Sequence, residues 1–332
     1  MKKSFERLVA VFAVMSVSIV AASAFFTRPA DAGTLSTDII GMFPKEIGEF
    51  AYVDMKAARQ HPWFPQLRDQ LIPGNFRQFE QFLTSAGIDP TTQVDEMAWA
   101  LFAPSKDEGE QIVGVAIGGF TPSDTENRFK QQKVASIEVH GYHLWAFGSG
   151  TGSSDILFFF LDSNTAAFGN RAALEKLIDV HFGGSESLLS NTELFPLIKD
   201  ANGNGTVWAV LNKTYTHIAM TQLLPQASQF PQASQIIDRL KAMEIHVQTG
   251  SGLDTQFQAV CNTVDDANTL AAALQAGVMM RRYQEAQTHP DVAKALDSVS
   301  VTPTGDHLKI EIPITEDQLQ GLIKSHAFSA QM

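Results

Sequence analysis

The sequence contains one cysteine, Cys261, in 332 residues, so no disulfide can form within the chain. The alternation around Cys261 places its thiol beside Phe257 and Ala259 on the apolar side of a strand. This favours a buried small side chain over a reactive thiol. Stability must therefore come from the hydrophobic core, for which an apolar content of 44% is ample.

Charged residues make up only 18% of the chain, and the basic ones are the scarcer. The 24 Lys and Arg residues against 36 Asp and Glu residues give a net charge of −12. No run of adjacent basic residues is longer than a pair, such as Arg281-Arg282. This is far smaller than the basic surface that a nucleic-acid backbone requires, so the composition argues against a nucleic-acid partner.

Sequence motifs for catalysis are also missing. The chain contains no G-x-S-x-G, no S-x-x-K and no H-E-x-x-H motif, and it has no pair of cysteines. The glycines Gly148, Gly150 and Gly152 precede an apolar strand, which is the reverse of the order in a dinucleotide-binding fingerprint. The sequence therefore predicts no catalytic residue and no cofactor.

Two weak metal-binding patterns have simpler explanations. His140 and His143 flank a turn, and two histidines bind a metal only where further ligands converge on them. The run 200–205 resembles the first half of a calcium loop, but Leu211 stands where the bidentate glutamate belongs. We expect solvated histidines and an Asn- and Gly-rich turn, and we predict no metal site.

The first 32 residues have the pattern of a secretory signal. Lys2, Lys3 and Arg7 precede an uncharged apolar run, residues 8–26, and the small-residue site Ala30-Asp31-Ala32 follows. This predicts export to the periplasm or another extracytoplasmic compartment, with residues 1–32 removed. The alternative is that residues 8–26 remain as an inner-membrane tether, since their length is marginal for a bilayer span.

The remaining sequence divides into two halves with one order of elements. Each half has the pattern strand, helix, strand, strand, helix, strand, strand, and the strands are connected mainly by hairpins. Helix caps at Thr121 and Thr263 occupy matching places in the two halves. The last strand of each half opens with the same pattern, Gly141-Tyr142-His143-Leu144 in the first and Gly305-Asp306-His307-Leu308 in the second.

These patterns predict an α+β fold built from two tandem repeats. Each repeat is expected to be an antiparallel sheet with helices packed on one face. A linker at 33–42 leads into the first repeat, 43–204, which carries an added strand pair and helices, and the second repeat covers 205–332. The run 156–161 is apolar at every position, which predicts a central strand covered on both faces.

Aromatic residues near turns are the candidate binding residues. Trp63 and Phe64 lie between prolines, and Tyr142, His143 and Trp145 lie at or beside a predicted hairpin turn. Such side chains are suited to an apolar groove for a peptide, a lipid or a glycan. For Trp63 and Phe64 the alternative is that they pack a helical segment against its sheet.

Several short runs are similar to those of a known group of proteins. They are Tyr52-Val53-Asp54, His61-Pro62-Trp63-Phe64, Gly87-Ile88-Asp89-Pro90 and Ala166-Ala167-Phe168-Gly169. Together they resemble a family of exported bacterial proteins of unknown function, with a signal segment and two tandem α+β halves. The resemblance implies this fold and export, and it implies nothing about chemistry.

From the sequence we therefore expect an exported, non-enzymatic envelope protein with a binding or scaffolding role. The expected partner is an apolar ligand or another envelope component. The alternative is an extracytoplasmic hydrolase whose acid, base and nucleophile converge from distant segments, at a site formed between the two halves.

Overall fold

The structure is a computed structural model, and it describes residues 33–72, 74–102, 111–152, 155–223, 235, 237–325 and 327–328. The predicted signal or tether, residues 1–32, lies outside this part of the chain. Among the residues described, no helix combines the length and the apolar character needed to cross a membrane.

The described residues form twelve α-helical segments. In chain order these are α1 (Thr37–Ile40), α2 (Met55–Ala58), α3 (Phe64–Leu71), α4 (Gly74–Ser85), α5 (Pro90–Gln93), α6 (Pro122–Gln131), α7 (Arg171–His181), α8 (Leu194–Ala201), α9 (Lys213–Leu223), α10 (Val264–Glu285), α11 (Pro290–Leu296) and α12 (Glu316–Lys324).

The same part of the chain forms twelve strands. They are β1 (Ile47–Asp54), β2 (Val94–Phe102), β3 (Ile112–Gly118), β4 (Ser136–Val139), β5 (Tyr142–Phe147), β6 (Ile156–Phe160), β7 (Thr165–Asn170), β8 (Val207–Asn212), β9 (Ala242–Thr249), β10 (Gly252–Val260), β11 (Ser300–Thr304) and β12 (His307–Thr315). Mixed helices and antiparallel strands confirm the predicted α+β class.

The chain divides into two compact units. Unit 1 contains the described residues 35–56 and 72–195, and its strands lie in the order β1-β2-β3-β7-β6-β5-β4. Every neighbouring pair in this order is antiparallel. Residues 33–42, predicted as a linker, are packed: Leu35 and Ile40 are buried, because apolar side chains there face the core.

Unit 1 departs from the prediction that helices cover one face of each sheet. On one face Phe129 of α6 packs in a cluster with Phe158 of β6. The next residue of β6, Phe159, points to the other face, where its ring lies 4.9 Å from that of Tyr142. Phe182, which follows α7, lies 6.3 Å from Tyr142 on this second face. Strand β6 is apolar on both sides, so burying it requires helices on both faces of the sheet.

Unit 2 contains the described residues 33–34, 57–71 and 196–328, so it includes α3 from the first half of the sequence. Its strands lie in the order β8-β9-β10-β12-β11, again antiparallel throughout. One face packs against α3, α11 and α12 through a cluster that includes Leu253, Ile314 and Leu322. The opposite face, called here the polar face, presents His246, Asp254, Gln256, Gln258, Lys309 and Glu311.

The helix caps that the sequence predicts differ in how they are made. Thr263 accepts a hydrogen bond from the backbone N–H of Asp266 and caps α10, whereas Thr121 makes no side-chain cap bond to α6. Thr315 and Gln318 form a reciprocal capping box at the start of α12.

Candidate functional site

The hairpin of β4 and β5 positions an exposed group of aromatic side chains. Its turn residues, His140 and Gly141, both have positive φ, 49° and 86°. Glycine adopts this backbone readily and histidine is among the side chains that tolerate it. The tight turn pairs Val139 directly with Tyr142 and fixes the direction in which the Tyr142 ring points.

The C-terminal end of α7 meets this turn. The His140 ring stacks on Phe182 with centroids 5.2 Å apart, and His140 Nε2 lies 3.6 Å from Asp179 Oδ1. Phe182 is 56% exposed, and its ring lies beside those of His140 and Tyr142. We call His140, Tyr142, Asp179 and Phe182 the aromatic rim. The rim offers flat apolar rings beside a carboxylate, which suits a partner surface better than proton-transfer chemistry.

The structure separates the three candidate residues of this hairpin. Tyr142 belongs to the aromatic rim and is half-buried, whereas His143 is exposed on the opposite face of β5. Trp145 lies on the same face as His143, but it is 2% exposed and stacks on Phe129 at 5.3 Å. Its indole N–H has no hydrogen-bond partner among the described residues. Trp145 therefore contributes to the core in this structure.

The other two candidates, Trp63 and Phe64, lie in unit 2. Trp63 is 4% exposed and belongs to the cluster that contains Leu253, and Phe64 packs partly buried against that cluster. The ring of His61 stacks on Trp63 with centroids 5.0 Å apart. Burial lowers the pKa of His61, opposed by the nearby carboxylate of Glu316. This location places both rings against the sheet, and a binding role for them stays a prediction.

Sequence reasoning missed an acidic cluster on β1 and β2. Glu96 lies directly opposite Asp54 in the strand register, and Tyr52 lies two residues before Asp54 on the same face of β1. Burial raises the pKa of Glu96, and the carboxylates of Asp54 and Asp95 raise it further, against the opposing influence of Tyr52 and the charge of Lys56. Burial raises the pKa of Tyr52, and the carboxylates of Glu96 and Asp54 raise it further. The register of two strands 40 residues apart, which brings these groups together, leaves no sequence signal.

The polar face of unit 2 was also missed. Glu244 and His246 are largely buried, with His246 Nε2 3.4 Å from Glu244 Oε2. Lys309 Nζ lies 2.6 Å from Glu311 Oε1 and lowers the pKa of Glu311. Burial raises the pKa of Asp254, and the charge of Glu311 adds to this effect. The regular alternation of polar residues in β10 was the available signal.

Within the described ranges, no three His, Cys, Asp or Glu side chains are arranged to hold a metal ion. The run 200–205 begins inside α8 and continues into a turn in which Gly203 has a φ of 88°. His307 Nδ1 lies 2.8 Å from Asp306 Oδ1, its neighbour in the turn before β12.

Comparisons with known proteins give a likeness of fold. No family model matches the chain, and no curated protein matches it. Two crystal forms of the bacterial protein TP0453 are similar in structure. Form I has a TM-score of 0.51 at 14% identity, covering 89% of this chain and 99% of that one. Form III has a TM-score of 0.53 at 12% identity, covering 87% and 99%.

At such low identity this likeness shows the α+β fold alone. It is consistent with the resemblance to an uncharacterised bacterial family that the sequence suggested, and it adds no detail to that resemblance.

Proposed function

We propose that this chain is an exported, non-enzymatic envelope protein that binds or scaffolds another envelope component. The observation that carries the proposal is the aromatic rim, where Phe182 is 56% exposed and stacked on His140. Exposed rings held in place by a hairpin and a helix end lose little side-chain freedom when a partner covers them. Aromatic residues are enriched at protein interfaces for this reason among others.

Site-specific crosslinking in living cells tests this function. A photoreactive phenylalanine analogue at Phe182 is expected to form an adduct with a component of the envelope. The same analogue at Glu193, an exposed position of unit 1 outside the rim, is the matched control. An adduct at position 182 that disappears in a Tyr142→Ala background supports the rim as the docking surface. Equal crosslinking at both positions, or none at 182, contradicts it.

Export is part of the proposal and has its own test. The charged start, the apolar run 8–26 and the site ending at Ala32 support delivery across the inner membrane. We expect the protein in the periplasmic fraction with Gly33 as its first residue. Recovery in the inner-membrane fraction with residues 8–26 retained would instead favour the tether, and a cytoplasmic location would contradict export.

An apolar ligand is the variant of this function in which the partner is a small molecule. Native mass spectrometry of protein purified from the envelope is expected to detect bound lipid-sized mass in that case. Uniformly ligand-free protein would argue against the ligand and leave a protein partner.

We also propose that the two units arose by duplication. The proposal is supported by the order of strands: β1-β2-β3 and β5-β4 of unit 1 correspond to β8-β9-β10 and β12-β11 of unit 2. Unit 1 then differs by the inserted hairpin β6-β7 between β3 and β5. Superposition of the five strand pairs tests this. Backbones that cannot be superposed in this order would contradict a common origin.

A hydrolase is the second candidate function, and the acidic cluster is the observation that favours it. A partly buried Glu96 with a raised pKa, close to Asp54 and Tyr52, resembles the environment of a general acid. Screening of the wild type and of Glu96→Gln against ester, amide and glycoside substrates tests this. Hydrolysis abolished by Glu96→Gln would support it, and activity unchanged by the substitution would contradict it.

A further inference from the structure

Strand β4 forms an open edge of the unit 1 sheet beside the aromatic rim. It is the last strand in the order, and its partner on the other side is β5. The backbone N–H of Ala146 donates to the carbonyl of Ala135 at 2.8 Å. Because hydrogen-bonded pairs alternate along an antiparallel hairpin, this bond determines which residues of β4 are hydrogen-bonded to β5. Residues 135, 137 and 139 therefore bond inward to β5, and the N–H and C=O groups of Ser136 and Glu138 point outward.

The side chains along this edge divide by face. Ile137 and Val139 are half-buried on the face that carries Tyr142 of the aromatic rim, and Ser136 and Glu138 are exposed on the other. Within the described residues, no hydrogen bond is made by the outward backbone groups of Ser136 and Glu138. Unpaired strand edges next to apolar side chains are templates for a further strand.

The corresponding edge of unit 2 is closed by a proline. The N–H of Cys261 donates to the carbonyl of Asp306, so residues 300, 302 and 304 of β11 bond inward to β12. Pro303 therefore occupies an outward position and has no N–H to offer. A proline at such a position blocks edge pairing. Strand β4 carries no proline, so its edge is open where that of β11 is closed.

We propose that β4 pairs with β4 of a second copy of this chain, antiparallel and around a two-fold axis at Ile137. This register places Ser136 of each copy opposite Glu138 of the other, so that these outward residues exchange backbone hydrogen bonds. A register shifted toward the turn would instead place the two Glu138 carboxylates side by side. The two Ile137 side chains meet on the face of the aromatic rim and join the two rims into one apolar surface.

The charges near β4 favour a second copy as the occupant. Each strand has an exposed basic residue, Lys133, before its start, and acidic side chains, Glu138 and Asp179, near its end. An antiparallel two-fold arrangement brings the basic end of one strand alongside the acidic end of the other. Because the pairing strand is only four residues long, the dimer is expected to be weak and reversible.

Sedimentation of protein purified from its own cells tests the proposal. Over a series from about 1 to about 200 μM the wild type is expected to pass from monomer to dimer. Glu138→Pro removes one outward N–H, as Pro303 does in β11, and it leaves the inward bonds of the hairpin intact. It should weaken dimerisation at least about tenfold. Glu138→Ala is the control for loss of the carboxylate alone and is expected to weaken it less.

Charge exchange gives a second test that does not depend on proline. Lys133→Glu places acidic side chains together and should weaken the dimer, and adding Glu138→Lys should restore it. Circular dichroism and melting temperatures close to wild type identify variants that are folded. A wild type that is monomeric throughout the series, or a Glu138→Pro protein that dimerises like wild type, overturns the proposal.

The inference rests on the proposed function, since it names a second copy as the component docked at the rim. The dimer inference and the proposed binding function can be contradicted separately. If the purified protein stays monomeric while the analogue at Phe182 crosslinks to a different envelope protein, self-pairing is wrong and the binding function stands. If position 182 yields no adduct of any kind, the binding function falls as well.

Discussion

Gly114 and Phe168 face each other across β3 and β7, and the phenyl ring fills the space that a side chain at position 114 would need. A Cβ added to Gly114 would lie 2.6 Å from Cε1 and 2.7 Å from Cε2 of the ring, where ordinary contacts begin near 3.4 Å. The backbone of Gly114 is outside the positive-φ region. An alanine at position 114 would therefore clash with the Phe168 ring, and its backbone would not be strained.

The cost of Gly114→Ala follows from how little the ring can move. Phe168 is 6% exposed and belongs to the cluster that contains Phe129 and Phe158. Overpacking of a core typically costs about 1–3 kcal/mol. Replacing glycine also restricts the unfolded chain, which returns about 0.4–1 kcal/mol. The expected net loss of stability is about 1–2 kcal/mol.

Denaturant unfolding of four proteins measures the effect and its cause. Alongside wild type and Gly114→Ala, the set includes Phe168→Leu and the double variant. Because leucine leaves room for the added methyl group, the double variant should be more stable than additivity predicts by at least about 0.5 kcal/mol. Gly119→Ala is the matched control, since a Cβ there has no atom within 4 Å. It is expected to change stability by less than about 0.5 kcal/mol.

Two results would refute this reasoning. One is a Gly114→Ala protein as stable as Gly119→Ala. The other is strict additivity of Gly114→Ala and Phe168→Leu, which would mean that the ring does not lie over Gly114. Either result would also mean that this contact does not help to hold β3 against β7 in unit 1.

Three further predictions concern single groups. Because the pKa of Glu96 is raised in the folded protein, its ionisation opposes folding at pH values above the unfolded-state pKa, taken as 4.5. Glu96→Gln should therefore raise the melting temperature at pH 7 and leave it unchanged at pH 3. Equal effects at both pH values would contradict the raised pKa. Burial and, to a smaller extent, nearby carboxylates raise the pKa of the Cys261 thiol to about 11. A thiol reagent should therefore label this buried cysteine at least about 100-fold more slowly in the native protein than in denaturant. Rapid labelling of the native protein would show that the thiol is accessible. Thr315→Ala removes the cap of α12 and should lower the free energy of unfolding in urea by about 1 kcal/mol. Thr121→Ala, which removes no cap bond, is the control and should be near neutral. Equal losses of stability would contradict the difference between the two caps.

Local patterns were enough to predict most elements of the fold. Each half has the predicted order of strand, helix, strand, strand, helix, strand, strand, and the predicted cap at Thr263 is present. The apolar run at 156–161 predicted a strand covered on both faces, and the cover is confirmed on each side of Phe158 and Phe159. The same observation contradicts the general expectation of helices on one face. A strand that is apolar on both sides requires a second helical layer, and this consequence was available from the sequence.

The candidate site was less predictable, because it depends on groups that are distant in sequence. Tyr142 was predicted, but its contact with Phe182 depends on where α7 ends relative to the hairpin. Trp145 was selected because it lies beside the turn, yet the two-residue period of β5 directs it into the core. The pairing of Asp54 with Glu96 depends on strand register, which a single sequence does not specify.

The repeated Gly-x-His-Leu pattern illustrates how register decides equivalence. In the first hairpin the turn residues are His140 and Gly141, so Tyr142 is the first residue of β5. In the second they are Gly305 and Asp306, so His307 is the first residue of β12. Matched by their turns, His307 corresponds to Tyr142 and not to His143. A shift of one residue in a strand exchanges the two faces of the sheet, so the matching histidines are not equivalent.

The proposed duplication, with the units matched by strand order, would account for the difference between their surfaces. On this basis β3 corresponds to β10, and Tyr142 and Leu144 of β5 correspond to His307 and Lys309 of β12. In unit 1 the part of this face formed by β3, β7 and β6 is apolar and lies under α7, which directly follows the hairpin β6-β7. The insertion therefore supplies both the two strands and the helix that covers the widened sheet. In unit 2, which has no counterpart of that insertion between β10 and β12, the same face keeps charged and amide side chains that tolerate water.

The aromatic rim lies where the cover formed by α7 ends, since Phe182 directly follows α7 and Tyr142 begins the strand next to the edge. An exposed aromatic surface at this place is thus the consequence of adding a hydrophobic layer that stops one strand short of the edge.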